Sequence, residues 1–307
     1  MARIDPPWIG AVRCAAAPYD VKSASREEFP TVSATASSQG TTTWPQQIGQ
    51  WLGAIARGLV GAGVLALVYQ LVHWSGVVDA RVLPSILAVL AEMWRLMTDR
   101  EFMWAVMETV WPALIGLLGA CLLGIPVGLA LGISPLAERI SRGLVDVLRS
   151  LPGTALIPVF MITIGTGDLM KVILVVFVGV WPILFNTMYG ITSVDKVAIE
   201  SALSCRVTGP ALWRRVMLPS AAPFIATGIR YALPIAIVIV IADELVVGSP
   251  EGIGGYLLQQ QTNIVWRPEA IYAVLLAAGV VGFVLNLAMD ALCERFVGWD
   301  MRRSEQT

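Results

Sequence analysis

The sequence is poor in the groups that most chemistry needs. It has one histidine, His73, so a histidine-rich metal site is out of reach. The cysteines, Cys14, Cys121, Cys205 and Cys293, are too scattered for a CxxC pair or a disulfide framework and read as small packing residues. Lysine occurs only at Lys22, Lys171 and Lys196. None follows a glycine, so there is no Walker A phosphate loop and no hydrolysis of ATP by that route. Charged residues make up 14% of the chain, against about 25% in a soluble domain. The net charge of −1 offers no basic field for nucleic acid.

What remains is apolar. Of 307 residues, 56% are hydrophobic, and the mean hydropathy is +0.72. This balance excludes a soluble enzyme or a disordered chain and points to an all-α, multi-pass membrane protein. Six stretches almost free of charge are read as spans: Gly58–Val78, Thr109–Ala137, Ser150–Gly167 (short, and extended back past Arg149), Val172–Val194, Val216–Ala242 (interrupted by Arg230) and Ala270–Met289. A bilayer core of about 30 Å needs about 20 helical residues. The membrane-spanning body is therefore placed at 51–300, with a short C-terminal tail at 301–307. Residues 1–50 carry the polar run Thr31–Thr43 between Pro30 and Pro45 and read as a flexible tail without a signal peptide's apolar core. Pro84 followed by periodic apolar residues over Ser85–Met97 predicts a helix too short to span, lying on the outer surface.

Six spans put both termini on one side. The joins at 138–149 and 195–215 share that side and hold Arg139, Arg142, Arg149, Lys196, Arg206, Arg214 and Arg215. The other side holds Arg81, Arg95, Arg100, Lys171 and Arg267. The bias places both termini in the cytoplasm. The join from Val194 to Pro219 is long for a connection between packed helices. It has apolar positions Val197, Ala198, Ala202 and Leu203 at helical spacing. Such a helix either lies on the membrane interface or docks a soluble partner.

This segment resembles the EAA loop of ABC-importer permease subunits. Glu200, Ser201 and Ala202 fall on the family's Glu-Ala-Ala, and Val216, Leu218 and Pro219 on its closing hydrophobic-x-Leu-Pro. Ser201 replaces an alanine, Arg206 stands where the family has glycine, and Gly209 comes three residues late. Leu148-Arg-Ser-Leu-Pro152, Ala155-Leu-Ile-Pro158, Ile164-Gly-Thr-Gly167, Trp181–Thr187, Thr227-Gly-Ile-Arg230 and Ala242–Gly254 are similar to the nitrate/sulfonate/taurine group of these permeases. The resemblance covers roughly residues 80–300. It implies a type I importer permease fold with a cytoplasmic coupling helix in the loop 195–219, located in a bacterial inner membrane and surrounded by lipid. It also implies ABC ATPase subunits that hold ATP and Mg, a periplasmic or lipid-anchored substrate-binding protein, and a second permease copy or paralogue. The chain itself would bind no cofactor and no metal and would have no catalytic residue. Glu200 would head the coupling helix.

Within the spans, Arg230 reads as an anion-attracting residue or as half of a structural pair. Glu244 aligns with an acidic family position and reads, in preference to Asp243, as a pathway or gate residue or else as a purely structural group. Asn186 and Thr187 read as pore-lining groups or as interhelical hydrogen-bond formers. A competing class, a secondary transporter driven by an ion gradient, explains the charges in the fifth span but not the long amphipathic loop. A membrane-embedded enzyme lacks a nucleophile–base pair or metal cluster.

Overall fold

The computed structural model describes residues 58, 60–61, 63–79, 82–262 and 267–304. The expected tail at 1–50 and the end of the C-terminal tail at 305–307 lie outside them. Among the described residues every regular element is helical. Helix α1 spans Gly63–Trp74. His73 Nδ1 lies 2.7 Å from the Leu83 carbonyl, and the Tyr69 hydroxyl donates to the Pro84 carbonyl, so α1 is tied to the turn before α2. Helix α2, Ile86–Thr98, starts where the Ser85 hydroxyl accepts from the Ala88 N–H. It buries Val89, Glu92 and Leu96 and leaves Leu87, Leu90 and Trp94 exposed.

Helix α3 runs Arg100–Ile133, capped by the Asp99 side chain, which accepts from the Glu101 N–H. The expected span of 109–137 therefore begins nine residues too late and overruns the end. Arg100 and Glu101 stay in the first turn, where their charges reach the helix edge, and Ser134-Pro135 begins a new helix. That helix, α4 (Pro135–Arg149), occupies the stretch read as a plain join.

The expected third span, 150–167, is not one helix. A 3-10 turn at Gly153–Leu156 leads into α5, Ile157–Thr163, only seven residues long. The chain bends by 79° between Gly143–Arg149 and Gly153–Thr163. Pro152 has no N–H to continue the ladder and disfavours helical geometry at the residue before it. Absence of charge marks the stretch as apolar but does not reveal the bend within it.

Helix α6, Asp168–Thr192, follows Gly167, whose φ of 127° only glycine adopts readily. Helices α3 and α6 meet along Gly116, Ala120, Gly124, Gly128 and Gly132, one small residue per turn. A Cβ at Gly116 would overlap Val175, and one at Gly128 would overlap Leu184 and Thr187, so the backbones come close.

Helix α7 is Lys196–Ser204. Helix α8 runs Pro210–Val247 with a π-helical turn at Trp213–Met217. It ends at Gly248, φ 71°, whose N–H bonds back to the Glu244 carbonyl. Helix α9, Gly252–Thr262, and helix α10, Pro268–Ser304, complete the described chain.

Four of these helices, α3, α6, α8 and α10, are long and apolar enough to cross a membrane, and the bent α4–α5 pair makes up to five. One apolar core joins α3, α6 and α8 through Leu117, Leu174, Ile183, Leu233 and Ile237. A second joins α2, α3, α9 and α10 through Leu96, Phe102, Ile253, Tyr256 and Val274. Beside it, Glu92 accepts from Arg95 Nε at 3.0 Å and pairs with Arg267 Nη2 at 3.2 Å. The Arg95 hydrogen bond holds the Glu92 carboxyl below its ordinary value, against an opposing push from burial.

Candidate functional site

Three places on or beside α8 carry the polar chemistry. The first is the loop before it. Asp195 caps α7 by accepting from the Val197 N–H at 2.9 Å. No residue of α7 is buried: Val197, Ala198, Glu200, Ser201 and Leu203 are exposed and Ala202 is half-buried. Glu200 sits one turn inside α7, not at its head as expected, because the helix starts at Lys196. Cys205, read as a packing residue, is exposed at the end of α7.

The turn that follows explains the position of Arg206. The Val207 N–H bonds to the Ala202 carbonyl at 3.0 Å and the Arg206 N–H to the Leu203 carbonyl at 2.9 Å. This pairing is a Schellman end, in which the residue after the cap is left-handed. Arg206 has φ 59°, and among the described residues no other non-glycine has a positive φ. Arginine thus occupies a conformation that glycine adopts without strain, costing on the order of 1 kcal/mol. Gly209, φ 59°, then precedes α8, where Val216 lies in the π-helical turn and is half-buried, Leu218 is exposed and Pro219 half-buried.

The second place is the far end of α8. Glu244 is fully buried. Lys171 Nζ lies 3.0 Å from its Oε1, the Thr109 hydroxyl donates to it at 3.0 Å, and the Gly254 N–H donates to Oε2 at 2.8 Å. Thr109 Oγ1 in turn accepts from the Ile253 N–H at 2.8 Å, and Glu108 Oε2 from the Gly252 N–H at 3.1 Å. Helices α3, α6, α8 and α9 are thereby joined at one carboxylate. A Cβ at Gly252 or Gly254 would overlap Glu244, so both glycines are required for the approach. Neighbouring Asp243 is buried, and its Oδ1 has no partner.

Glu244, read as a pathway or gate residue or as a structural group, is enclosed by protein within this chain. Its partners Lys171 and Thr109, and Glu108, which accepts from the Gly252 N–H beside it, were not singled out from the sequence. A signal was available: a carboxylate inside an apolar run needs a cation, and of the two lysines among the described residues Lys171 is the one at that end.

The third place lies between. Arg230 Nε contacts Asp290 Oδ1 of α10. The oxygen is sealed from solvent yet receives no aligned hydrogen bond, so this is a charge contact rather than a completed pair. Both side chains keep some exposure, 37% for Arg230 and 24% for Asp290. Beside them is a cavity of about 470 Å³ lined by Thr227, Arg230, Tyr231, Pro234 and Asn286. Asn186 and Thr187 stand apart from it. Asn186 Nδ2 donates to the Pro182 carbonyl at 2.8 Å and the Thr187 hydroxyl to the Ile183 carbonyl at 2.7 Å, both within α6. Among the described residues neither group makes an interhelical hydrogen bond. Among the described residues no cluster of three His, Cys, Asp or Glu is placed to hold a metal.

Residues 122–298 match the family described as binding-protein-dependent transport system inner membrane component. The chain is 30% identical over 251 residues to the putative aliphatic sulfonates transport permease protein SsuC of Escherichia coli (strain K12), covering 82% of this chain and 94% of that protein. It is 27% identical over 266 residues to the taurine transport system permease protein TauC of the same organism, covering 83% and 92%. The nitrate import permease protein NrtB of Leptolyngbya laminosa is 25% identical over 201 residues, covering 65% and 71%. Among solved structures, an inward-facing conformation of the MetNI methionine ABC transporter superposes with a TM-score of 0.55 at 19% identity, covering 64% of this chain and 99% of that one. At that identity the likeness speaks for the fold.

Proposed function

The chain belongs to the binding-protein-dependent transport system inner membrane components, and from that premise we propose that it imports a small sulfonate, taurine, nitrate or similar solute. It is a permease subunit of an ABC importer, and partner subunits supply the rest of the cycle. In the proposal, a binding protein delivers the solute at the Glu244 end. A pair of ATPase subunits hydrolyses ATP with Mg at the α7 end, which faces the cytoplasm along with both termini. A second permease copy completes the passage. The substrate range is taken from the relatives.

The observation that carries the coupling role is α7 itself. A nine-residue helix is too short to be stable alone in water, and this one presents Val197, Ala198 and Leu203 with nothing buried. A groove on an ATPase subunit would cover it. Glu200, Ser201, Ala202, Arg206 and Gly209 would shape the docking surface, and Val216, Leu218 and Pro219 would fix it to α8. At about 1.5 Å per residue, the helix beyond Pro219 runs on to Glu244, so a displacement of α7 is transmitted along one rod.

Co-purification of the ATPase with Glu200→Arg, alongside uptake in the reconstituted importer, tests the reading. Loss of both is expected, with the permease still folded and inserted. Full docking and full uptake would remove α7 from the mechanism, and uptake by this chain alone under an ion gradient would overturn the importer.

A further inference from the structure

We propose that α4 is the face on which a second copy of this chain docks, the two α4 helices lying antiparallel across a two-fold axis near Gly143 and Leu144. The proposal rests on the importer reading, which calls for a second permease copy, and deepens it by naming where that copy sits and in which direction.

The starting point is a helix without a core. None of the described residues of α4 is buried. Leu136, Ile140, Leu144 and Val147 are 67%, 74%, 64% and 62% exposed. Their spacings of four, four and three residues keep them on one face, and Leu151 continues the row four residues on. Such a stripe along a 15-residue helix is a seam for another helix. At its middle stands Gly143, exposed, where an added Cβ would meet nothing within 4 Å. The smallest residue thus sits where two crossing backbones come closest.

Membrane geometry fixes the direction. Two copies of one chain share one orientation in the bilayer, so a two-fold axis relating them runs along the membrane normal. A helix meets its own mate antiparallel across that axis only when it lies in the membrane plane. The chain bends by 79° between Gly143–Arg149 and Gly153–Thr163. Phe160 of α5 meets Phe177 of α6 edge to face. With α5 beside a spanning helix, a bend of that size lays α4 close to the plane.

The flank of the stripe carries its own complement. Arg139 and Asp146 are seven residues apart, two turns, and share one side of the stripe. Among the described residues Arg139 has no ion-pair partner, and Asp146 contacts Arg149 through Oδ1 at 3.0 Å. In an antiparallel pair, Arg139 of each copy comes opposite Asp146 of the other, so one two-fold contact makes two ion pairs. A parallel pair would set Arg139 against Arg139. The mixed signs also speak against lipid as the cover, since anionic headgroups favour a flank of arginines without an aspartate.

The test uses the full importer, with its ATPase subunits and binding protein, in lipid discs. Gly143→Cys is oxidised with copper phenanthroline and dioxygen, and mass spectrometry of the linked peptides sets the native cysteines apart. A link from position 143 of one copy to position 143 of the other is expected. Its yield should exceed that from Val145→Cys, on the opposite face, at least about fivefold, because a disulfide needs Cβ atoms about 4 Å apart. Leu144→Cys, next to the axis, should link in the same way and takes over if Gly143→Cys does not assemble. Arg139→Glu should cut the yield about threefold, and adding Asp146→Arg should restore it. Absence of both links in a complex that still takes up solute overturns the proposal. So does equal linkage at Val145→Cys, or a yield indifferent to Arg139→Glu. ATP-driven uptake, measured before oxidation, reads the import function separately. A complex that imports without the link loses this interface and keeps its function. A linked pair that imported nothing beforehand keeps the interface and loses the import reading.

Discussion

The two ends of α8 follow opposite rules. At the Val247 end, Glu244 is enclosed by Lys171, Thr109 and the Gly254 N–H, which come from three other helices. At the Pro210 end, α7 packs back without burying one residue, and an arginine sits in a conformation meant for glycine. The contrast separates scaffold from working surface. Charge and apolarity occur at both ends. The difference is whether each group finds its partner within the chain. Where all partners are present, the group holds the bundle together. Where they are missing, the surface is shaped for something else.

The largest effect should come from breaking the closed end. Lys171→Met leaves the Glu244 carboxylate buried without its cation and should cost about 3–5 kcal/mol, read as lost thermal stability of the purified protein in detergent. Combining it with Glu244→Gln should recover most of that loss, because the uncompensated charge is gone. If the pair of substitutions is as damaging as Lys171→Met alone, the ion pair is not what closes this end. Gly252→Ala strikes the same place without changing charge. With φ 83° and a Cβ overlapping the carboxylate, it should cost about 1–3 kcal/mol in the same assay.

The open end should respond in the opposite direction. Arg206→Gly removes strain and should stabilise the turn by on the order of 1 kcal/mol. Because α7 contributes nothing to the core, global unfolding should barely move. Amide exchange in α7 should instead slow by about fivefold. A drop in protection there would show that the arginine side chain holds the turn by a contact of its own.

The smallest effect sharpens the comparison at the margin of the closed end. Glu92 is held below its ordinary value of 4.5 first by its hydrogen bond from Arg95. A carboxyl depressed in the fold stabilises it above the ordinary pKa and loses that contribution as pH falls through the folded value. Stability should therefore decline below about pH 4.5, and Glu92→Gln should flatten that part of the profile. Since Arg95 is 56% exposed, the difference at neutral pH should stay below about 1 kcal/mol.

How much of this was legible in the sequence depended on the kind of signal. Helices α3, α6, α8 and α10 announced themselves as long uncharged runs. The same criterion failed at 150–167, because it counts charges and overlooks Pro152 and Gly153, which break the ladder. It also passed over α4, whose mixed residues look like a connection although Ser134 and Pro135 form a helix start. The EAA-like spacing marked the segment that holds α7 and the Arg206 turn but put Glu200 at the head of the helix, which starts at Lys196. The left-handed turn at Arg206 was foreshadowed by a glycine position filled with another residue. Lys171 was counted as an outer charge because its long apolar stem lets the ammonium reach inward, and a tally of loop charges does not follow the stem. The Arg230–Asp290 contact needed two helices brought side by side, which spacing within one segment does not reveal.

Lys171 also imposes a schedule on biogenesis. Segments of a multi-pass protein leave the ribosome in chain order, and the carboxylate that neutralises Lys171 lies 73 residues downstream. Between the arrival of α6 and that of α8, the Lys171 ammonium has beside it only the exposed Asp168 carboxylate of its own helix, 3.9 Å away. Glu244, coming later, ends that interval, and the Gly254 amide closes the cage only once α9 folds back. A chain interrupted before α8 leaves Lys171 without its buried counter-charge, so the pair records whether synthesis has passed α8.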